Sequence, residues 1–337
     1  MSSFCKAPSN NMYFTVKGYV SPCWKTTVAC DNWSEDRSIM DIWSGDKFQM
    51  YRDALAKNVF LNRCTECKVD VDNEVWPLAR AYEKLPVHEY PSLMELELSN
   101  QCNLECTMCS GLLSSGIRKN RDKLPPLKQI YTDKFVEELR EFIPHLQELR
   151  FNGGEPFAQK IVLDICDMVT EINPKLKIRV ATNGTVYTKR VKHILANNNI
   201  HLNISIDSLQ QKRYEEIRIN ADFKKLMINF DIFHKYSKDN NRSLVVLINP
   251  MRNNWEEMVD FIWFTDKFDI SLWYNTILYP THLAIHSMQA EDLDIVYNTM
   301  LAQLQELPSN VRNYDKFKHL VSNQIGNWYL DKLVDKK

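Results

Sequence analysis

No apolar run in this chain approaches the roughly 20 residues that a helix needs to cross a bilayer. Its first residues, MSSFCKAPSNNMYF, lack the basic segment and apolar stretch of a secretory signal. Together these absences lead to the expectation of a cytoplasmic protein with no membrane partner. Basic excess is missing too: 42 Lys and Arg face 43 Asp and Glu, for a formal net charge of -1. That balance argues against phosphate-backbone binding, and so against a nucleic-acid partner. There is no internal repeat and no low-complexity tract. The Gly-rich dinucleotide fingerprint of a doubly wound sheet is absent as well.

What the chain does have is cysteine, at nine of 337 positions, seven of them within the first 106 residues. An odd count without an export signal points to reduced thiols rather than disulfides, and the asymmetry points to metal chemistry. With 44% apolar and 25% charged residues the chain is of ordinary globular composition. Its length suits a barrel plus a small appended module.

Residues 1–87 hold short strand-like runs (MYFTVKGYVSPCW) and one expected helix, IMDIWSGDKFQMYRDALAKN. EKLPVHEYPS, Glu83 to Ser92, has the two prolines of a linker. From there to about 287, short β-branched runs alternate with helical periods. The strand candidates begin at Leu93, Glu148, Lys177, His201, Ser243 and Ile270. Six βα alternations give an α/β fold with a parallel sheet, expected to be a partial (β/α)6 TIM-like barrel (residues 88–287) preceded by a small cysteine-rich α+β module (residues 1–87). Residues 288–337 carry a helical pattern and are read as a packing or lid extension. In such barrels chemistry sits at the C-terminal ends of the strands.

Just past the first of these strands comes SNQCNLECTMCSG, which places Cys102, Cys106 and Cys109 in a CxxxCxxC spacing. Three thiols are one short of a closed tetrahedral site, so the loop suits a metal or cluster with a position left to bind. At the end of the second strand stands Gly153-Gly154-Glu155-Pro156. Two glycines there let backbone approach a ligand and the carboxylate can pair with an amine; a tight strand-to-helix turn with Pro early in the helix reads equally well.

Together the two motifs resemble the radical S-adenosylmethionine (radical SAM) superfamily, over about residues 88–285. The resemblance implies that Cys102, Cys106 and Cys109 bind three irons of a 4Fe–4S cluster. The fourth iron would chelate SAM, and reductive cleavage would give a 5′-deoxyadenosyl radical that abstracts hydrogen from the substrate. It implies that Gly153, Gly154, Glu155 and Pro156 hold the methionine amine. In ISIDSLQQKRYEEIR it places Ser205 and Arg218 on SAM, against the plain reading of a strand-end polar group and an exposed helix Arg. Asn183, in ATNGT, would approach the adenosyl group, or else belongs to an ordinary Asn-Gly turn. Glu97 falls where many members carry Glu; a carboxylate in a satisfied polar barrel interior is the plainer reading.

Upstream, Cys5 and Cys23 flank Gly18 (C-x12-G-x4-C), and Cys64 and Cys67 form a CxxC. Four thiols make a complete site for structural zinc or an iron–sulfur cluster. The pattern resembles the twitch form of the SPASM module, which implies an auxiliary 4Fe–4S cluster, although that module usually follows the barrel. An auxiliary cluster can pass an electron to or from a substrate radical, so the expectation is oxidative or cross-linking modification of a peptide or small molecule. A reductant such as flavodoxin or ferredoxin is implied. A peptide substrate would need direct binding or a separate leader-peptide-binding protein, since no spare segment of leader-recognition size is visible. The alternatives are an RNA- or nucleotide-modifying member, or a non-catalytic iron–sulfur or zinc protein.

The remaining candidates read blandly. Cys166 lies on the apolar face of a helix, as a small buried hydrophobe. Cys30 is a thiol near the auxiliary set, able to replace a ligand or donate hydrogen. His282 and His286 are spaced i, i+4 but lack an HExxH pattern, and read as surface or pocket histidines. Trp273, Tyr274 and Asn275 end the last strand, as pocket lining or aromatic core.

Overall fold

In the computed structural model, residues 5–26, 30–61, 64–72 and 81–334 are described. The β-branched runs become strands because one side chain in two faces a helical layer and is buried by it. By contacts, the chain divides into two compact units. The first comprises Met1–Cys102, Gly111–Ala181 and Thr188–Ile200, and the second Asn103–Ser110, Thr182–Tyr187 and His201–Lys337.

In the first unit the strands are β1 (Asn11–Phe14), β2 (Tyr19–Ser21), β3 (Asp31–Asn32), β4 (Leu93–Leu96), β5 (Glu148–Phe151) and β6 (Lys177–Thr182), in the order β3-β2-β1-β4-β5-β6. β1 to β3 pair antiparallel, whereas β1, β4, β5 and β6 run parallel. One face of the parallel strands, with Met12, Phe14, Met94, Leu96, Leu149, Phe151, Ile178 and Val180, is fully buried. The helices Asp133–Phe142 and Lys160–Ile172 supply apolar stripes that include Phe135, Leu139 and Ile165, and each such large apolar side chain contributes about 1.5–3 kcal/mol when buried. Cys166 is completely buried, as its place in the helical period implies. The opposite face is polar: Tyr13, Glu95, Arg150 and Arg179 stand side by side across four strands.

β1 is an unexpected feature. The cysteine-rich segment extends the first parallel strand β4 directly, residue by residue from Asn11↔Leu93 to Phe14↔Leu96. The proline-containing stretch before β4 is tied to the same hairpin, with Asn10 Nδ2 donating to the Tyr82 carbonyl at 2.8 Å and Ser92 N–H to the Asn10 carbonyl at 2.9 Å. The single helix expected over IMDIWSGDKFQMYRDALAKN is two helices, Ile39–Trp43 and Asp46–Ala56. A Ser38–Asp41 capping box starts the first. Gly45 breaks the run by adopting extended backbone as the cap of the second, where a Cβ would stand 2.7 Å from the Asp41 carbonyl oxygen.

The second unit holds most of β7 (Asn199–Ser205), with β8 (Leu244–Ile248) and β9 (Ser271–Tyr274), all parallel. Each of β4 to β8 is followed by a helix before the next strand, which is the α/β alternation expected from the sequence. The C-terminal segment is helical over Ala290–Glu306, Tyr314–His319 and Gly326–Val334. Among the described residues no helix is long and apolar enough to cross a membrane.

Candidate functional site

Cys5, Cys23, Cys64 and Cys67 line a single cavity in the first unit, together with Pro8, Pro22, Tyr51 and Leu55. Three pieces of chain bring them there. Cys5 precedes β1, Cys23 follows β2, and Cys64 and Cys67 lie at the start of the helix Thr65–Asp72. The β1–β2 turn depends on Gly18, whose φ of +81° is the left-handed region that glycine tolerates; a Cβ there would also meet Ile130 Cγ2 at 2.8 Å.

Burial pushes the Cys5 thiol up to about 12, and Cys23, Cys67 and Cys64 each push further in the same direction. Burial likewise lifts Cys64 to about 11, with Cys23 and Cys67 adding to it. Cys23 is raised mainly by burial, against a 3.1 Å contact with the Thr26 hydroxyl. Four thiols that oppose one another's ionisation become thiolates together only around positive charge, and a metal ion or iron–sulfur cluster supplies it. The donor set therefore fits such a group. Among the described residues no three His, Cys, Asp or Glu side chains stand as close as the ligands of one ion. Cys30 is buried beside this pocket, its thiol raised to about 12 by burial and by Cys64 and Cys23 while a hydrogen bond with Tyr51 works the other way.

The loop after β4 contributes Cys102 to the first unit and Cys106 and Cys109 to the second. Within the first unit, Gly153 and Gly154 have φ of +74° and +55°. A Cβ on Gly154 would sit 2.4 Å from the Gln101 carbonyl oxygen and 3.0 Å from that of Ser99. The glycines thus let the strand end press against the backbone just before Cys102. Gln159, buried, latches the contact by donating through Nε2 to the carbonyls of Gly153 at 2.9 Å and Ser99 at 3.2 Å. The Glu155 carboxylate accepts from the Phe157 N–H at 3.1 Å and its N–H donates to the Gln101 carbonyl at 2.9 Å. Pro156 opens the short helical turn Pro156–Ala158. Tyr13 hydrogen-bonds Glu97; burial raises the Glu97 pKa, that hydrogen bond works the other way, and Glu95 raises it further.

Within the second unit, Arg218 is buried, not exposed. Its guanidinium pairs with Asp207 at 2.7 Å and lies 3.8 Å from Cys106 Sγ. Burial works against its charge, but Asp207 and Cys106 more than offset that. Burial lifts the Cys106 thiol to about 11, while Arg218 pulls it down. Asp207 is itself held by Asn249, whose backbone N–H and Nδ2 donate to Oδ1 at 2.8 and 2.9 Å. Asn183 donates to Asn103 Oδ1 at 2.9 Å, and Asn103 donates to Thr185 Oγ1 at 2.9 Å, so the ATNGT turn grips the residue next to Cys102. Ser205 ends β7 opposite Leu247.

Asp207, Asn103 and Gln159 escaped the sequence reading. Their signal is only that each adjoins a motif, in SIDS, CNLEC and GGEPFAQ. The bland candidates separate. Tyr274 is core, its hydroxyl donating to the Met258 carbonyl at 2.8 Å, whereas Trp273 is half exposed under Lys316 Nζ. His282 is exposed and His286 packs on Trp328.

The radical SAM superfamily matches residues 96–262, and the SPASM iron–sulfur cluster-binding domain matches residues 5–68. The GTP 3′,8-cyclase of Limosilactobacillus fermentum is 24% identical over 192 residues, 57% of this chain and 54% of that protein. That of Clostridium perfringens is 28% identical over 182 residues, 49% and 55% of the two. The chain spans about half the length of these curated relatives. Among solved structures, Streptococcus suis SuiB bound to the precursor peptide SuiA is similar with a TM-score of 0.47 and 16% identity, covering 77% of this chain and 58% of that one.

Proposed function

The chain belongs to the radical SAM superfamily and carries a SPASM-type iron–sulfur cluster-binding domain at its N-terminus, and we propose that its reaction is a net oxidation or cross-linking of a peptide or small molecule. The cofactors of this class are 4Fe–4S clusters and SAM. When bound, they supply a reducing electron and a carbon-centred radical able to take hydrogen from an unactivated position. The protein's part is to hold and orient. In this reading Cys102, Cys106 and Cys109 carry the SAM-binding cluster, and Gly153, Gly154, Glu155 and Pro156 form the wall for the methionine amine. Asn183 and Ser205 border SAM at neighbouring strand ends. Arg218, kept charged by Asp207, keeps positive charge beside Cys106.

The observation that supports an oxidation is the second donor set: four thiols around one cavity, in a module whose β1 extends the barrel strand β4. In this reading a redox group there exchanges an electron with the substrate radical, and a SAM-dependent hydrogen abstraction followed by loss of one electron is a net oxidation. Flavodoxin or ferredoxin would supply the reducing electron in the cytoplasm, and a separate leader-binding protein would present a peptide substrate. The test replaces Cys5, Cys23, Cys64 and Cys67 by Ala: 5′-deoxyadenosine should still form from SAM and dithionite while product is lost. Persistence of product removes the electron role.

A second reading has one observation in its favour: two of the similar proteins are GTP 3′,8-cyclases. In that reading the substrate is a nucleotide. GTP added to the assay should then accelerate 5′-deoxyadenosine formation, whereas under the first reading a peptide mixture does so and GTP does not.

A further inference from the structure

Between the four-thiol cavity and the polar face of β4 lies a buried group that neither the thiols nor the fold requires. Tyr82, 4% exposed, forms a small core with Ala7 and Leu93, and Cys5 and Cys23 pack against that core. Its hydroxyl donates to Glu95 Oε1 at 2.8 Å. Asn11 Nδ2 donates to the same oxygen at 3.0 Å, and Arg150 Nη1 reaches Oε2 at 3.3 Å. Glu95 is 3% exposed. A carboxylate in such a place costs more to desolvate than an apolar residue of the same size, so stability alone gives no reason for it.

Two contacts join it to the thiols. Tyr82, which donates to Glu95, lies in the core against which Cys5 and Cys23 pack, and Asn11, which also donates to Glu95, donates to the carbonyl of Pro22, the neighbour of Cys23, at 2.8 Å. Arg150 balances Glu95 only in part, because the same guanidinium donates to Glu148 at 2.7 Å.

We propose that Glu95, fixed by Tyr82 and Asn11, is a positioning residue of the auxiliary site whose negative charge lowers the reduction potential of the group held by Cys5, Cys23, Cys64 and Cys67. Adding an electron beside a buried anion is disfavoured, and the potential of an iron–sulfur cluster follows net charge, hydrogen bonding and burial around it. Arg150 acts with the opposite sign. The inference rests on the reading that the N-terminal module holds an iron–sulfur cluster.

The experiment uses the full chain with Cys102, Cys106 and Cys109 replaced by Ala, reconstituted anaerobically with iron and sulfide, so that only the auxiliary cluster contributes. Its midpoint is read by a dithionite titration followed by electron paramagnetic resonance. Glu95→Gln should move the midpoint up and Glu95→Asp should return it toward the parent. Arg150→Met, in the same background, should move it down. Opposite shifts for the two variants distinguish electrostatics from damage to the fold. An unshifted Glu95→Gln, or both variants moving the same way, overturns the inference and leaves the module's cluster intact. A parent that takes up zinc, or no iron, overturns the module reading and the inference with it.

Discussion

The N-terminal cavity gathers four thiols from positions as far apart as Cys5 and Cys67 and surrounds them with Pro8, Pro22, Tyr51 and Leu55. The loop after β4 carries three thiols within eight residues, and one of them, Cys106, lies 3.8 Å from the guanidinium of Arg218. In the cavity the thiols raise one another; at Cys106 a buried cation pulls the other way. The contrast teaches that donor number and local charge go together. A closed four-thiol set leaves the whole charge balance to the group it binds. In the proposed reading the three-thiol loop has a protein cation fixed beside Cys106, suited to a site that also takes an anionic group from outside.

The largest effect should come from breaking the open set. Cys106→Ala is expected to reduce 5′-deoxyadenosine formation to background and to halve the iron content, leaving the auxiliary share; chromatography of the nucleoside and iron analysis check both. Next is the charge that distinguishes the two sites. Asp207→Ala leaves Arg218 buried without its carboxylate, at an expected loss of about 3–5 kcal/mol, measured by denaturant unfolding of the apo-protein. If stability is unchanged, Arg218 is not held as described.

A smaller loss is expected of Gly154→Ala. Backbone at φ +55° strains a side chain by about 1–3 kcal/mol, and the Gln101 carbonyl must also move away from the new Cβ. Iron retention should fall at the loop after β4 and not in the N-terminal cavity, which sharpens the comparison.

An effect of comparable size concerns the polar face beside the cavity. Burial acts to raise the Glu148 carboxyl, but Arg150, Lys177 and Arg179 overcome it and hold the group down to about 2. Its folded pKa is below the ordinary 4.5, so its contribution is fully present above about pH 4.5 and is lost as pH falls toward 2. Glu148→Gln should cost on the order of 2–3 kcal/mol at neutral pH and flatten the stability profile between pH 4.5 and 2, as urea unfolding across that range will show.

How much of this was legible in the sequence differs between elements. The six strands β4 to β9 lie within or overlap the β-branched runs, because burial of one face under helices imposes the two-residue period itself. The thiols were legible by spacing, since cysteines in reduced chains seldom cluster without a ligand. Long-range pairings were not. Arg218 reads as an exposed helix residue until Asp207, eleven positions earlier, is seen folded against it. Gly154 reads as a ligand-facing glycine, yet its closest neighbour is the Gln101 carbonyl, a contact between two loops that no local pattern encodes. The joining of β1 to β4 was equally hidden, because strand pairing across eighty residues leaves no local trace.

A barrel cluster that cleaves SAM and a second cluster in the N-terminal cavity are read together by iron and sulfide analysis of anaerobically reconstituted protein, followed by an assay for 5′-deoxyadenosine with SAM and dithionite. About eight irons per chain, two clusters of the four-iron type, and formation of 5′-deoxyadenosine are expected. Protein that binds no iron and leaves SAM intact would contradict both clusters.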